Sequence, residues 1–331
     1  MKQRKLVRLR TARIWVDRIV LFGGLCCLSL FPASIYGCNE KNNPGTLLSE
    51  QNIMDRPEIT QHIFHPIKVA QNTPPPGAID IEVKIEDGVA IGCRLFSHST
   101  TASTVIFFHG NGEIIPDYDE VGPFYMQQGI NFLVTEYRGY GWSSGTPRTS
   151  TLLPDSNVLF VQLQRWLSDH GYTGALFVMG RSLGSACAID VAVNHSAQIS
   201  GLIIESGFAK TLPLAKVLGL DLAQLGITEE QTFNNSSKIG QFTKPTFILH
   251  GQYDQLIPLW QAETLMAESG AKSKELQIVP GADHNSVIAV GGVFYFQAIQ
   301  KFVDKAAGTA PDWRERRRRF KAQQAADGLP K

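Results

Sequence analysis

The chain has 331 residues, 43% hydrophobic and 18% charged, which is enough apolar content for a sizeable core and excludes a wholly disordered chain. The net charge of +1 conceals an asymmetry: residues 1–38 hold seven Lys/Arg against one Asp, residues 311–331 hold seven against three acids, and residues 39–310 hold 17 against 26. An acidic body between basic ends points to surface or membrane contacts at the ends, and no nucleic-acid partner is expected.

In chain order, residues 1–18 are basic and residues 19–39 carry no charge. Basic then apolar is the pattern of an export signal whose basic end stays in the cytoplasm. The strongly apolar part, residues 19–31, suits a cleaved signal peptide; the whole uncharged run of 21 residues is long enough to span a bilayer. Either way the body lies on the periplasmic or extracellular side, and a membrane-anchored form is expected. Ile35-Tyr36-Gly37-Cys38 resembles a bacterial lipobox, which implies cleavage before Cys38 and lipidation of its thiol. Lipoprotein, uncleaved anchor and plain secretion stay open. Residues 1–38 are thus a signal or anchor. Residues 39–77 are polar and broken by Pro44, Pro57, Pro66 and Pro74-Pro75-Pro76, which predicts a linker.

From Ala78 the pattern changes. Residues 78–85 and 89–96 are strand-like and meet at Asp87-Gly88, a hairpin turn. Apolar strands follow at 104–110, 130–137, 175–180, 201–206, 245–251 and 275–281. Between them lie helical patterns at 119–129 (interrupted by Gly122-Pro123), 155–171, 182–195, 260–270 and 293–306. Strands that are apolar throughout and alternate with helices predict an α/β domain over 78–305, its mostly parallel sheet covered on both faces. Cys93 and Cys187 fall in apolar runs, as buried thiols do. Residues 306–331, with a block of arginines, read as a basic disordered tail; a patch for anionic lipid is the alternative.

Two runs match G-x-S-x-G: Gly141-Trp142-Ser143-Ser144-Gly145 and Gly180-Arg181-Ser182-Leu183-Gly184. A nucleophile elbow needs a strand ending at the motif and a helix starting on it, so that the turn exposes Oγ and helix amides face the developing oxyanion. Ser182 has that setting. Ser143 lies past its strand, and Gly145-Thr146-Pro147 follows it, so it is a loop residue.

A serine nucleophile needs a base, and the base an orienting acid. His284 follows the last strand on a loop; His250 ends a strand, where it packs or hydrogen-bonds locally. Asp254 follows a strand at its carboxyl end, where ligands gather in open α/β sheets. Glu205 and Asp283 are the alternatives for the acid. Leu183 N–H is the first oxyanion donor. The second comes from His109-Gly110-Asn111-Gly112, with Asn111 N–H favoured.

The runs FFHGNG, EYRGYGWSSG, MGRSLGSA, HGQYDQLIP and PGADHNS, in this order, resemble the α/β-hydrolase superfamily, and more narrowly the membrane-anchored Bem46-like proteins and the serine aminopeptidase S33-type domain. The resemblance spans residues 64–304. It implies an α/β-hydrolase fold with an N-terminal β-hairpin, and it implies that Arg138 and Tyr140 brace a loop beside the site. It also implies a cap between the strands at 201–206 and 245–251, here the short stretch 210–242, which fits an open site for acyl chains or esters at a membrane. The expected activity is cleavage of a carboxylic ester or thioester by Ser182, Asp254 and His284, without metal or cofactor. An S33-type peptidase or amidase and a non-catalytic binding protein are the rivals.

Overall fold

The computed structural model describes residues 52–310 and Arg318. The signal or anchor at 1–38, the lipidation candidate Cys38 and nearly all of the basic tail lie outside the described residues. Among the described residues no helix is long and apolar enough to cross a membrane.

The strands are β1 (Ala78–Glu86), β2 (Val89–Phe96), β3 (Thr104–Phe108), β4 (Asn131–Thr135), β5 (Leu176–Arg181), β6 (Gly201–Glu205), β7 (Thr246–Gly251) and β8 (Lys274–Val279). The helices are α1 (Pro57–Ile63), α2 (Gly122–Gln127), α3 (Thr149–Asp169), α4 (Gly184–Asn194), α5 (Thr211–Val217), α6 (Asn235–Ile239), α7 (Leu259–Glu268) and α8 (Val287–Ala307). The sheet runs β1-β2-β4-β3-β5-β6-β7-β8. The β1/β2 hairpin joins β4 antiparallel, and every pair from β4 to β8 is parallel. β3, β4, β6 and β7 are buried along their whole length, as strands covered on both faces must be. One core cluster holds residues of α3 and α4, such as Leu163 and Ile189, against one face of the sheet. The other holds residues of α2 and α8, such as Tyr125 and Ile299, against the opposite face. This is the sheet the sequence predicts, hairpin included. Cys93 and Cys187 are free and buried.

The expected linker over 39–77 is corrected where it is described. From residue 52 to 77 the chain is a strap packed on the domain, so the folded body begins well before Ala78. Met54, Ile59, Ile63 and Phe64 are buried in the α3/α4-side core. Val69 N donates to Gly141 O, and Gly141 N to Ile67 O. Prolines read as spacer residues because they interrupt periodicity, yet Pro57 opens α1, where its missing N–H costs nothing.

The same strap explains a second difference. The sequence predicts the third helix from Asp155, just after Pro154, but α3 starts at Thr149 and carries Pro154 inside it. Asp55 Oδ1 accepts from Ser150 N at 2.9 Å and Met54 O from Thr149 Oγ1 at 3.1 Å, so the first turn is capped by residues 95 positions away. The last helix likewise starts early, at Val287 instead of 293, and bends at Gly292 (φ 51°). The cap over 210–242 holds α5, α6 and two short 3-10 turns. Leu222, Ile227, Phe233, Ile239 and Phe242 anchor it in the same core.

Candidate active site

β5 runs straight into Ser182, whose backbone sits at φ 51°, a left-handed conformation costly for a residue with a side chain. The surroundings hold it there. Ser182 N donates to Glu205 O at 3.0 Å, and Ser182 O accepts from Ser185 N at 3.0 Å and Ser185 Oγ at 2.6 Å. The two motif glycines make the tight turn possible. A β-carbon on Gly180 would lie 2.2 Å from Gly184 O, and one on Gly184 would lie 2.1 Å from Phe108 O. Strand, elbow and helix therefore meet at backbone contact.

His284 lies on the loop between β8 and α8, and Asp254 on the turn after β7. Asp254 Oδ1 accepts from Ile257 N at 2.8 Å and Leu256 N at 3.1 Å, which fixes the carboxylate. Its Oδ2 stands 2.7 Å from His284 Nδ1, and His284 Nε2 stands 3.0 Å from Ser182 Oγ. With the ring proton on Nδ1, facing the carboxylate, Nε2 is free to accept the serine proton. Burial holds His284 below the ordinary histidine range; the hydrogen bond to Asp254 opposes this and the Arg181 charge adds to it. The ring is thus neutral near pH 7 and competent as a base. Ser182 and His284 are largely buried, with 8% and 7% exposure.

The other candidates go elsewhere. His250 Nε2 donates to Ile257 O at 2.7 Å and lies 3.5 Å from Asp254 Oδ2, so it packs behind the acid. Glu205 faces Arg181 at 3.3 Å and accepts from Tyr295 OH at 2.5 Å. Asp283 Oδ1 caps its own loop through Asn285 N at 3.0 Å and Ser286 Oγ at 2.6 Å. The Ser143 hydroxyl is buried and accepts from Gly92 N at 2.9 Å.

Leu183 directly precedes α4, so its amide faces the same way as the helix N-terminus. Asn111 lies on the loop after β3, which the Gly184 contact presses against the elbow. The Asn111 side chain is held at both ends: Nδ2 donates to Ile63 O at 2.8 Å, and Oδ1 accepts from Tyr140 OH at 2.7 Å and His65 N at 2.9 Å. The side chain is thus a tether between the strap, the 137–144 loop and the loop after β3. Arg138 binds Asp155 through Nε and Nη2 at 2.6 and 2.7 Å, which with Tyr140 braces the 137–144 loop.

Two features escape sequence reasoning. Arg181, inside the motif, is buried with Glu113 and Glu205 as ion partners, and it donates to His284 O at 2.8 Å. A buried arginine signals partners, but its neighbours come from two loops and the end of β6, segments far apart in sequence. The second is the strap, whose Ile63 and His65 hold Asn111.

The model of the serine aminopeptidase S33 family matches residues 99–228. Bem46 of Schizosaccharomyces pombe is 28% identical over 233 residues, 67% of this chain and 75% of the relative. Among solved structures, the esterase Pf2001 of Pyrococcus furiosus superposes with a TM-score of 0.60 at 20% identity, covering 73% of this chain and 98% of that one. A soluble variant of the monoglyceride lipase of Saccharomyces cerevisiae gives 0.55 at 20% identity, covering 72% and 97%. At such identities the structural likeness is one of fold.

Proposed function

The body of the chain is an α/β-hydrolase domain of the Bem46-like kind, and from that premise we propose that it is a serine hydrolase cleaving carboxylic esters or thioesters through an acyl-enzyme. The observation that carries this is the chain of contacts from Asp254 Oδ2 through His284 to Ser182 Oγ, at 2.7 and 3.0 Å, on a strained elbow. Ser182 Oγ attacks the acyl carbon as His284 Nε2 takes its proton. The Leu183 and Asn111 amides stabilise the oxyanion, each contributing roughly 3 kcal/mol in the transition state. The protonated His284 then gives its proton to the departing alcohol or thiol. Water, deprotonated by the same ring, attacks the acyl-enzyme and frees the acid. Asp254 holds the ring tautomer throughout. Neither a metal nor a cofactor enters any of these steps.

The substrate class we favour is an acyl lipid or acylated molecule at a membrane. The cap carries an open groove of about 520 Å³ lined by Leu212, Pro213 and Ala223 together with Lys216, Asp221 and Gln224, and it exposes Val217 and Leu225; this apolar surface on the cap supports the lipid reading. The esterase and lipase names of the fold neighbours agree with an ester. We place the domain on the exported side of a membrane, tethered through residues 1–38 or through a lipid on Cys38. The name of the matching family model favours one second reading, an aminopeptidase or amidase.

A fluorophosphonate probe tests the nucleophile: the wild type labels and Ser182→Ala does not. Labelling that survives Ser182→Ala, or a wild type that never labels, overturns the proposal. Nitrophenyl esters of increasing chain length against aminoacyl anilides separate ester from amide cleavage.

A further inference from the structure

We propose that Arg181 is a positioning residue whose buried guanidinium locks the histidine loop and the oxyanion loop to the nucleophile elbow. The inference rests on the serine-hydrolase reading and deepens it. Arg181 directly precedes Ser182, so its backbone is part of the elbow. Its Nη2 donates to His284 O at 2.8 Å and to Asn285 Oδ1 at 3.2 Å, gripping the loop that carries the base. Its Nη1 pairs with Glu113 Oε1, and Glu113 Oε2 accepts from Gly110 N at 2.8 Å and from Tyr118 OH. Gly110 immediately precedes Asn111, and it lies so near that a β-carbon there would stand 2.6 Å from both Arg181 Nη1 and Glu113 Oε1. Arg181 Nε faces Glu205 Oε1 at 3.3 Å, and the Glu205 carbonyl accepts from Ser182 N at 3.0 Å. One planar fork thus ties together the three segments that must hold nucleophile, base and oxyanion donor in register.

A lysine presents a single ammonium and cannot reproduce this spread of directions. Buried ion pairs are also poor contributors to net stability, so a merely structural role would be served as well by apolar packing. The positive charge behind His284 has a second consequence. The ring faces Asp254 and Asp283, with His250 behind the acid; burial is the main cause of its lowered pKa, and Arg181 adds to it. Removing the charge while Glu113 and Glu205 remain raises the His284 pKa.

The test uses the full-length protein in detergent, p-nitrophenyl butyrate hydrolysis across pH, and fluorophosphonate labelling rates, on wild type, Arg181→Lys, Arg181→Gln and Ser182→Ala. Arg181→Lys keeps the charge and loses the fork: kcat falls roughly tenfold or more with KM little changed, and the acid limb of the pH profile stays in place. Folded Arg181→Gln loses about a hundredfold in kcat, and its acid limb moves to higher pH. If Arg181→Gln fails to fold, Arg181→Lys decides alone. Wild-type kcat in Arg181→Lys, or an unmoved limb in folded Arg181→Gln, overturns the inference while leaving the serine-hydrolase reading intact. A wild type that neither labels nor hydrolyses overturns both.

Discussion

At Ser182 the chain accepts a strained backbone because the neighbouring atoms leave no alternative: β5 behind it, α4 ahead, and the β3 carbonyls beside Gly184. Replacing Ser182 by Ala removes the oxygen that stands 3.0 Å from His284 Nε2, and on the proposed mechanism activity falls by about a millionfold to the level that binding and oxyanion donors alone sustain. Asp254→Asn keeps the shape but favours the wrong tautomer, with a loss in kcat of about 10⁴. The pH dependence has a definite sign. In the proposed mechanism His284 acts as a neutral base, and its pKa lies below the ordinary value of about 6.5, chiefly through burial. Activity therefore rises as pH climbs through a midpoint below about 6.5 and stays high near pH 7; a midpoint above that in kcat/KM would contradict the burial argument.

Two elements make predictions of their own. The strap from residue 52 to 77 puts four apolar side chains into the core and caps α3. Ile59→Ala leaves a cavity in a fully buried position and costs about 2–5 kcal/mol, read as a lower denaturant midpoint. A chain starting at Ala78 loses the whole strap and the Asn111 tethers, so it melts well below one starting at residue 52 and hydrolyses ester more slowly even when folded. Equal melting temperatures would show that the strap is a passive tether. At the elbow, Gly184→Ala forces a methyl group to within 2.1 Å of Phe108 O, which no side chain can relieve because backbone meets backbone. Loss of labelling at Ser182 together with a lower melting temperature is expected.

At the scale of the whole molecule, a parallel sheet covered on both faces brings the carboxyl ends of β3, β5, β7 and β8 to one edge, and each contributes a loop to the site. The charge pattern is likewise a property of the whole chain, an acidic body between basic ends. If Cys38 carries a lipid, the wild type incorporates an alkyne fatty acid and has lost residues 1–37, and Cys38→Ser takes up no label. If residues 19–39 remain as a span, neither protein is labelled and both keep their N-terminal peptides, so labelling with mass spectrometry decides.

The strand-to-helix switch at Ser182, the hairpin at Asp87-Gly88 and the succession of apolar strands are set by local periodicity and turn chemistry, and they were legible in the sequence. So was the gathering of Asp254 and His284 near Ser182, because in this topology both follow strands whose carboxyl ends share one edge. The strap was not legible. Its prolines and polar residues look like a spacer until the domain offers a surface for Ile59 and Phe64 and a helix end for Asp55. Nor were the partners of Arg181, since Glu113 and His284 come from loops and Glu205 from the end of β6, brought together by strand order. Local propensity acts over a few residues, whereas the satisfaction of a buried charge or an uncapped helix depends on atoms that only the folded sheet brings within hydrogen-bonding distance.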